Sequence, residues 1–385
     1  MAIDIVEKQC CGCRTCKTIC PANAITFSND LYGFEYPNID KSACIDCGKC
    51  EKVCPVIHVR LSSEHYRCGA AYVIDDETRI AGSSGGLFGI FAKKIIHDGG
   101  VVFGAAFNEK LRLKTVGVDS LEALEPLYKS KYLLCDTDDQ FIEIHKCLNQ
   151  GREVLYCSSP CQIAALKLFL GKQYNNLLTV DFVCHGVGSQ ALFDKSVYYV
   201  EQKEGELIDN FIFRYKKPHA ASSHYYYLKS SSKHRVGLYL SFPYYNAYCK
   251  QLVCRPECYK CKYAVEYRPS DITIGDFHEI GKFDKGIDRF SGISMFVCNS
   301  KKGLLFFQAL ERKLWVRDFL WENLAKYNRF SNQNSGPPRL YKEFMESISA
   351  NPFEDTVNMY LRPGKDWKRI IYYNLPKFVR NLIKK

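Results

Sequence analysis

Cys10, Cys13, Cys16 and Cys20 stand in the pattern Cys-x2-Cys-x2-Cys-x3-Cys followed by Pro21, and Cys44, Cys47, Cys50 and Cys54 repeat it before Pro55. A cubane 4Fe-4S cluster takes four thiolates, three from one tight loop and the fourth from the other motif. The spacing therefore assigns Cys10, Cys13, Cys16 and Cys54 to one cluster and Cys44, Cys47, Cys50 and Cys20 to a second, leaving Cys11 over. Gly12 and Gly48 fall inside the loops, where backbone N–H groups must approach the sulfurs closely. Ala24 and Ile25 are placed to shield a cluster. Structural zinc would ask for local pairs of Cys-x2-Cys rather than two interleaved motifs ending in proline.

Further chemistry lies downstream. Cys254, Cys258 and Cys261 form Cys-x3-Cys-x2-Cys, three thiols with no fourth nearby in a matching pattern. A third cluster then needs a distant ligand, with Cys184 and Cys161 as the candidates; the other reading is three reduced core cysteines. Ser83-Ser84-Gly85-Gly86 precedes a helical stretch from Leu87 to His97, so its N–H groups offer a phosphate cradle or an ordinary helix cap. Lys129-Ser130-Lys131-Tyr132 puts two cations and two hydroxyls within four residues. Ser158-Ser159-Pro160-Cys161-Gln162 is the turn between a strand and a helix, where ligands collect. His185, beside Cys184 at a strand's end, and His278, beside Asp276, are the acid/base candidates.

These residues need elements to hold them. The chain has 385 residues and twenty cysteines, enough for two or three domains. Strands are expected at Val101–Phe107, Val154–Cys157, Leu177–Val183 and Met295–Val297, with helices at 161–170 and 304–314. A polar linker at 58–65 separates the cysteine repeat from this α/β region. Tyr225 to Tyr248 is expected to form strands packed on the core. The last twenty residues alternate Ile370, Ile371, Leu375 and Val379 with Lys368, Arg369, Lys377 and Arg380, broken by Pro376. This end either lies peripherally on an anionic inner membrane face or packs on the protein with a solvated basic face.

No apolar run reaches membrane-span length and the start has no signal-peptide pattern, so a cytoplasmic protein with reduced thiols is expected. The formal net charge of +11 suits an anionic partner or cofactor. Nucleic-acid motifs are missing from the sequence, so no nucleic-acid partner is expected.

Residues 1–60 resemble the two-cluster bacterial ferredoxins. Ser83 to Gly86, Lys129 to Tyr132, Ser159-Pro160-Cys161-Gln162, Asp181-Phe182-Val183-Cys184-His185-Gly186-Val187 and Ser270-Asp271-Ile272-Thr273-Ile274-Gly275-Asp276-Phe277 together resemble the coenzyme F(420) hydrogenase/dehydrogenase beta-subunit family, over about residues 66–310. That resemblance implies an FAD-dependent iron-sulfur oxidoreductase with a ferredoxin-like redox partner. It would place Ser83, Ser84, Gly85, Gly86, Lys129, Ser130, Lys131 and Tyr132 around FAD, with Ser158, Ser159, Pro160 and Gln162 beside it, and a proximal cluster on Cys254, Cys258 and Cys261. The chain departs from the family pattern at Ser158-Ser159, where a glycine-threonine is common, and at His278, where a tryptophan is common. Relatives with a fused ferredoxin include chlorophyll-type reductases and bacterial proteins resembling those found with polysaccharide synthesis, so the substrate stays open. The alternative is a non-catalytic electron-transfer subunit of a larger complex.

The expected architecture is an α+β ferredoxin-like two-cluster domain (1–62), an α/β flavin-binding domain (66–315) and a mostly helical C-terminal extension (316–385).

Overall fold

The computed structural model describes residues 9–137, 139–217, 224–277, 280–283, 287, 291–327, 336–362, 367–375 and 379. The N-terminal unit is small because its cysteine loops leave little chain for regular structure. A short helix, Thr15–Ile19, precedes the antiparallel pair β1 (Ile25–Asn29) and β2 (Glu35–Ile39), and a single turn, Lys49–Lys52, follows the second loop. Gly12 and Gly48 take φ of 75° and 68°, a left-handed backbone that a side chain resists.

A mixed sheet of eight strands forms the body. Its members are β3 (Arg67–Val73), β4 (Val101–Phe107), β5 (Leu113–Val118), β6 (Val154–Ser158) and β7 (Leu177–Phe182), joined by three later strands. A separate antiparallel sheet intervenes, made of β8 (Ile208–Tyr215), β9 (Tyr225–Ser230) and β10 (His234–Leu238). The main sheet then resumes with β11 (Ile272–Asp276), β12 (Ser294–Cys298) and β13 (Leu314–Asp318). Its order is β13-β3-β12-β11-β7-β6-β4-β5, with β4, β6, β7 and β11 parallel and the flanking pairs antiparallel. The parallel centre is what a near-continuous apolar run such as Val154-Leu155-Tyr156 encodes, since both of its faces are covered.

The helix Leu87–His97 buries Leu87, Ile90, Phe91 and Ile95 along one side and stops at Gly99, whose φ is 79°. Each such fully buried side chain contributes about 1.5–3 kcal/mol of transfer free energy. The second core gathers Phe193, Phe211, Phe213, Tyr226, Phe242, Tyr244 and Tyr245 under the three-stranded sheet.

Three sequence expectations change. The helix expected through Leu314 ends at Leu310, and Leu314 opens β13, which pairs with β3 from Leu314 opposite Val73 to Asp318 opposite Gly69. The main sheet thus extends past residue 315. The tyrosine-rich stretch is strand to Leu238, but Pro243 starts a helix running to Cys249, a position where its missing N–H costs nothing. Beyond residue 320 the described regular elements are helices, Trp321–Tyr327, Tyr341–Ala350, Phe353–Tyr360 and Trp367–Asn374. Phe344, Met345 and Ile348 of the second join the aromatic core. Half of the last twenty residues lie outside the described residues, and no described helix is long and apolar enough to cross a membrane.

Candidate functional site

The two N-terminal cysteine loops interlock. Cys10 faces the thiols of Cys13 and Cys54, and Cys16 faces Cys13, Cys10 and Cys54. Cys50 faces Cys47 and Cys20. Cys20, Cys44, Cys47 and Cys50 line a cavity of about 130 Å³ together with Ala22, Ala24, Ile25 and Ile39. The last cysteine of each motif therefore stands with the first three of the other. Four sulfurs around a small, mostly apolar cavity fit the donor set of a cubane. Burial pushes the Cys10 thiol up to about 12 and raises Cys16 as well, whereas Cys13, bonded by Cys11 and Thr15, falls to about 7. Among the described residues, no group of three or more His, Cys, Asp or Glu side chains is placed to hold a single metal ion.

The two groups differ in access to solvent. Cys10 and Cys13 are buried, while Cys47 is exposed and Ile45 beside it is 65% exposed. The N-terminal unit is also fastened to the body. Thr137 Oγ1 donates to Cys13 O at 3.0 Å, Arg14 pairs with Asp136 at 2.6 Å, and Tyr263 Oη donates to Pro55 O at 2.7 Å.

A third thiol group sits below this contact. Cys258 faces Cys184, Cys254 and Cys161; Cys254 faces Cys184; Cys261 faces Cys161. The loop after β7 carries Cys184 to the Cys254–Cys261 segment because Gly186, at φ 101°, permits close approach. A Cβ there would meet Cys254 Sγ at 2.9 Å and Cys258 Cβ at 3.2 Å. Burial pushes Cys184 up to about 12 and Cys254 up as well. Cys161 is different. Its sulfur lies 3.3 Å from Ser159 Oγ and is bonded to Cys11, and these contacts lower its pKa despite burial. Cys161 and Cys11 thus stand between the first N-terminal group and the third. His185 is exposed beside the third group, and Cys254 Sγ donates to its carbonyl at 3.6 Å. His278 lies outside the described residues.

The glycine loop and the Lys129–Tyr132 segment meet: Ser130 N donates to Ser83 Oγ at 2.7 Å, and the two hydroxyls lie 3.1 Å apart. Their polar groups are mostly committed within the protein. Lys129 Nζ donates to the carbonyls of Ile80 and Gly82, and Lys131 Nζ to those of Pro126 and Tyr128. Ser84 Oγ donates to Ile293 O, and Gly85 N to Ser294 Oγ. Gln162 accepts from Ser158 Oγ at 2.6 Å and donates to Cys135 O at 2.7 Å, bracing the turn from inside. Ser159 Oγ also reaches Gln162, at 3.3 Å, and Pro160 is the first residue of the helix that follows.

What this site has to offer an anion is charge. Arg214 forms a two-pronged pair with Asp276, at 2.7 and 3.0 Å, and donates to Tyr132 Oη at 3.2 Å. Lys216 Nζ donates to the carbonyls of Arg79, Ser84 and Ser291. Lys216 thereby faces Arg79, Lys129 and Arg214, with Asp276 as the carboxylate set against Arg214 and Lys216. Burial, then Lys129, Arg79 and Arg214, push Lys216 down to about 6; burial, then Arg214, push Lys129 down to about 8. A bound anion relieves such crowding, so these residues fit a phosphate-bearing group. Arg79, Arg214 and Lys216 escape a sequence reading because Arg79 sits alone in the helix Asp76–Ala81 and Arg214 and Lys216 fall at the end of β8, in no pattern with it. Tyr132 stacks on Tyr248 at 4.3 Å, and Tyr248 Oη donates to Gly186 O at 3.1 Å, joining the cationic site to the third thiol group.

Comparison with known proteins follows the same division. Residues 151–318 match the family described as the C terminus of the coenzyme F(420) hydrogenase/dehydrogenase beta subunit, and residues 9–57 match the 4Fe-4S dicluster domain. No curated protein matches the chain. A solved chain from the F(420)-reducing NiFe hydrogenase complex of Methanosarcina barkeri is similar at 14% identity with a TM-score of 0.44, over 77% of this chain and 92% of that one.

Proposed function

We infer the function from one premise: the chain belongs to the coenzyme F(420) hydrogenase/dehydrogenase beta-subunit family and carries a 4Fe-4S dicluster domain ahead of it. It is an iron-sulfur electron-transfer protein, and we read its direction of wiring from solvent access. A redox protein partner docks at the exposed Cys44–Cys50 loop. The buried group of Cys10, Cys13, Cys16 and Cys54 comes next, and the group of Cys184, Cys254, Cys258 and Cys261 completes the path into the α/β body. The observation that carries this reading is the succession of thiol groups from exposed to buried, with Cys11 and Cys161 bridging the last interval. Cys184 serves as the fourth ligand of the third group, because Cys161 is already engaged by Cys11 and Ser159.

The end point of the path would be a flavin, for which the cationic site is the candidate holder. Bound FAD would exchange a hydride with a substrate and single electrons with a cluster. Arg79, Lys129, Arg214 and Lys216 would supply the field to hold its phosphates, and the Ser83–Gly86 loop opens the helix whose N-terminal dipole would add to that field. Lys129 braces the start of that loop through the Ile80 and Gly82 carbonyls, while Lys131 holds its own segment through Pro126 and Tyr128, so they act through charge and position. The Tyr132–Tyr248 stack links this site to Gly186 and the third thiol group. His185, exposed beside the third thiol group, is the residue able to hold a proton for the substrate.

Anaerobically purified protein is expected to hold roughly twelve irons with matching sulfide, as three 4Fe-4S clusters require, and one extractable FAD. Clusters without FAD would convert the protein to an electron-transfer subunit that serves a partner enzyme. Zinc in place of iron would end the whole reading.

A further inference from the structure

Arg255 lies within the Cys254–Cys258 loop, yet its guanidinium is spent on the other end of the protein. It is fully buried, with Nε donating to Cys10 O at 2.6 Å and Nη2 to Glu35 O at 3.0 Å. The group lies 4.1 Å from the Tyr36 ring centre, and Nε is 3.1 Å from Glu257. Its own backbone N–H donates to Val187 O at 2.8 Å, in the loop that follows Cys184. One residue thus binds the first N-terminal motif, the Cys184 loop and the Cys254–Cys261 segment.

Nη1 is the informative atom. It is buried with no hydrogen-bond partner among the described residues, a costly state for a cationic donor. It points into the first cysteine loop: a Cβ on Gly12 would lie 3.3 Å from it and 2.6 Å from Leu134 Cδ2. Gly12 N donates to Cys10 Sγ at 3.3 Å from the same loop. Glu257 offsets part of the charge from the Nε side, and Cys10 and Cys11 are the other ionisable groups that face it along with Tyr36.

We propose that Arg255 is a positioning residue that sets the gap between the first and third clusters and donates through Nη1 to the cluster held by Cys10, Cys13, Cys16 and Cys54. Donors and positive charge at the sulfurs favour the reduced, more negative cluster. Its potential is therefore raised by Arg255, which favours the passage of electrons inward from the exposed cluster on Cys20, Cys44, Cys47 and Cys50. This rests on the cluster assignment above, and iron content separates the two: a chain without iron removes the clusters, while a full complement with unmoved potentials removes only the role of Arg255.

The test is a potentiometric titration of the full holoprotein followed by electron paramagnetic resonance. The relevant signal is identified by its loss in Cys10→Ser. In Arg255→Gln with full iron, this signal is expected to shift downward by about tenfold in its oxidised-to-reduced ratio, 59 mV for a one-electron couple, while that of the exposed cluster stays in place. Arg255→Lys keeps the charge and loses the planar fork, so a smaller shift in the same direction is expected. If Arg255→Gln fails to assemble, Arg255→Lys alone decides. No shift of the Cys10 signal, or equal shifts of all signals, overturns the proposal.

Discussion

Replacing Asp276 with asparagine is expected to lower the melting temperature by about 3–5 °C. Asp276 is the carboxylate that Arg214 grips with two nitrogens, and the Arg214 side chain is only 8% exposed. Removing one partner of a buried pair leaves the other uncompensated at about 3–5 kcal/mol. The 22% exposure of Asp276 moves this site to the lower end of that range. Lys129 and Lys216 then face Arg214 without the carboxylate that pairs with it. An anion should substitute for the lost carboxylate, so inorganic pyrophosphate is expected to raise the melting temperature of Asp276→Asn more than that of the unaltered protein. Differential scanning calorimetry with and without pyrophosphate checks both statements. An unchanged melting temperature would mean that the pair contributes nothing.

The second large effect concerns iron. Cys258→Ser is expected to cost about four irons of roughly twelve, because Cys258 faces Cys184, Cys254 and Cys161 at the centre of the third group. The two N-terminal clusters should persist with their spectra intact, since no ligand is shared: Cys54 and Cys20 cross between the N-terminal motifs and neither reaches the third. Iron and sulfide counts with low-temperature paramagnetic spectra read this out. Loss of all iron would show that the third group holds the N-terminal unit in place rather than a cluster of its own.

Legibility in the sequence follows how local the cause is. The dicluster unit is legible because one loop and its repeat contain all eight of its cysteines, and the pattern itself leads to the expected exchange of Cys20 and Cys54 between the motifs. The helix Leu87–His97 and strands β4, β6, β7 and β12 were readable from apolar period and glycine punctuation. The helix 304–314 ran four residues too far because Leu304, Phe307, Leu310 and Leu314 keep helical spacing, and only pairing with β3, some 240 residues away in sequence, pulls Leu314 into the sheet. The partners of the Cys254–Cys261 group were narrowed to Cys184 and Cys161. Their different surroundings, one against Gly186 and the other against Cys11 and Ser159, belong to tertiary structure. Arg214, Lys216 and Arg255 were invisible for the same reason: a lone basic residue in a strand or loop carries no pattern. Lys129 and Lys131 drew notice as a pair of cations, yet their ammonium groups are tied to backbone carbonyls, which no spacing reveals.

The central claim is that electrons enter at the exposed N-terminal group and travel inward. Stopped-flow reduction by a reduced ferredoxin, compared with reduction by the small molecule dithionite, tests it in the unaltered protein and in Cys50→Ala, which lacks a ligand of the exposed cluster. The account predicts that Cys50→Ala loses most of its rate with ferredoxin while dithionite still reduces the remaining clusters at the original rate. Equal ferredoxin rates in the two proteins would place the point of electron delivery elsewhere and contradict the account.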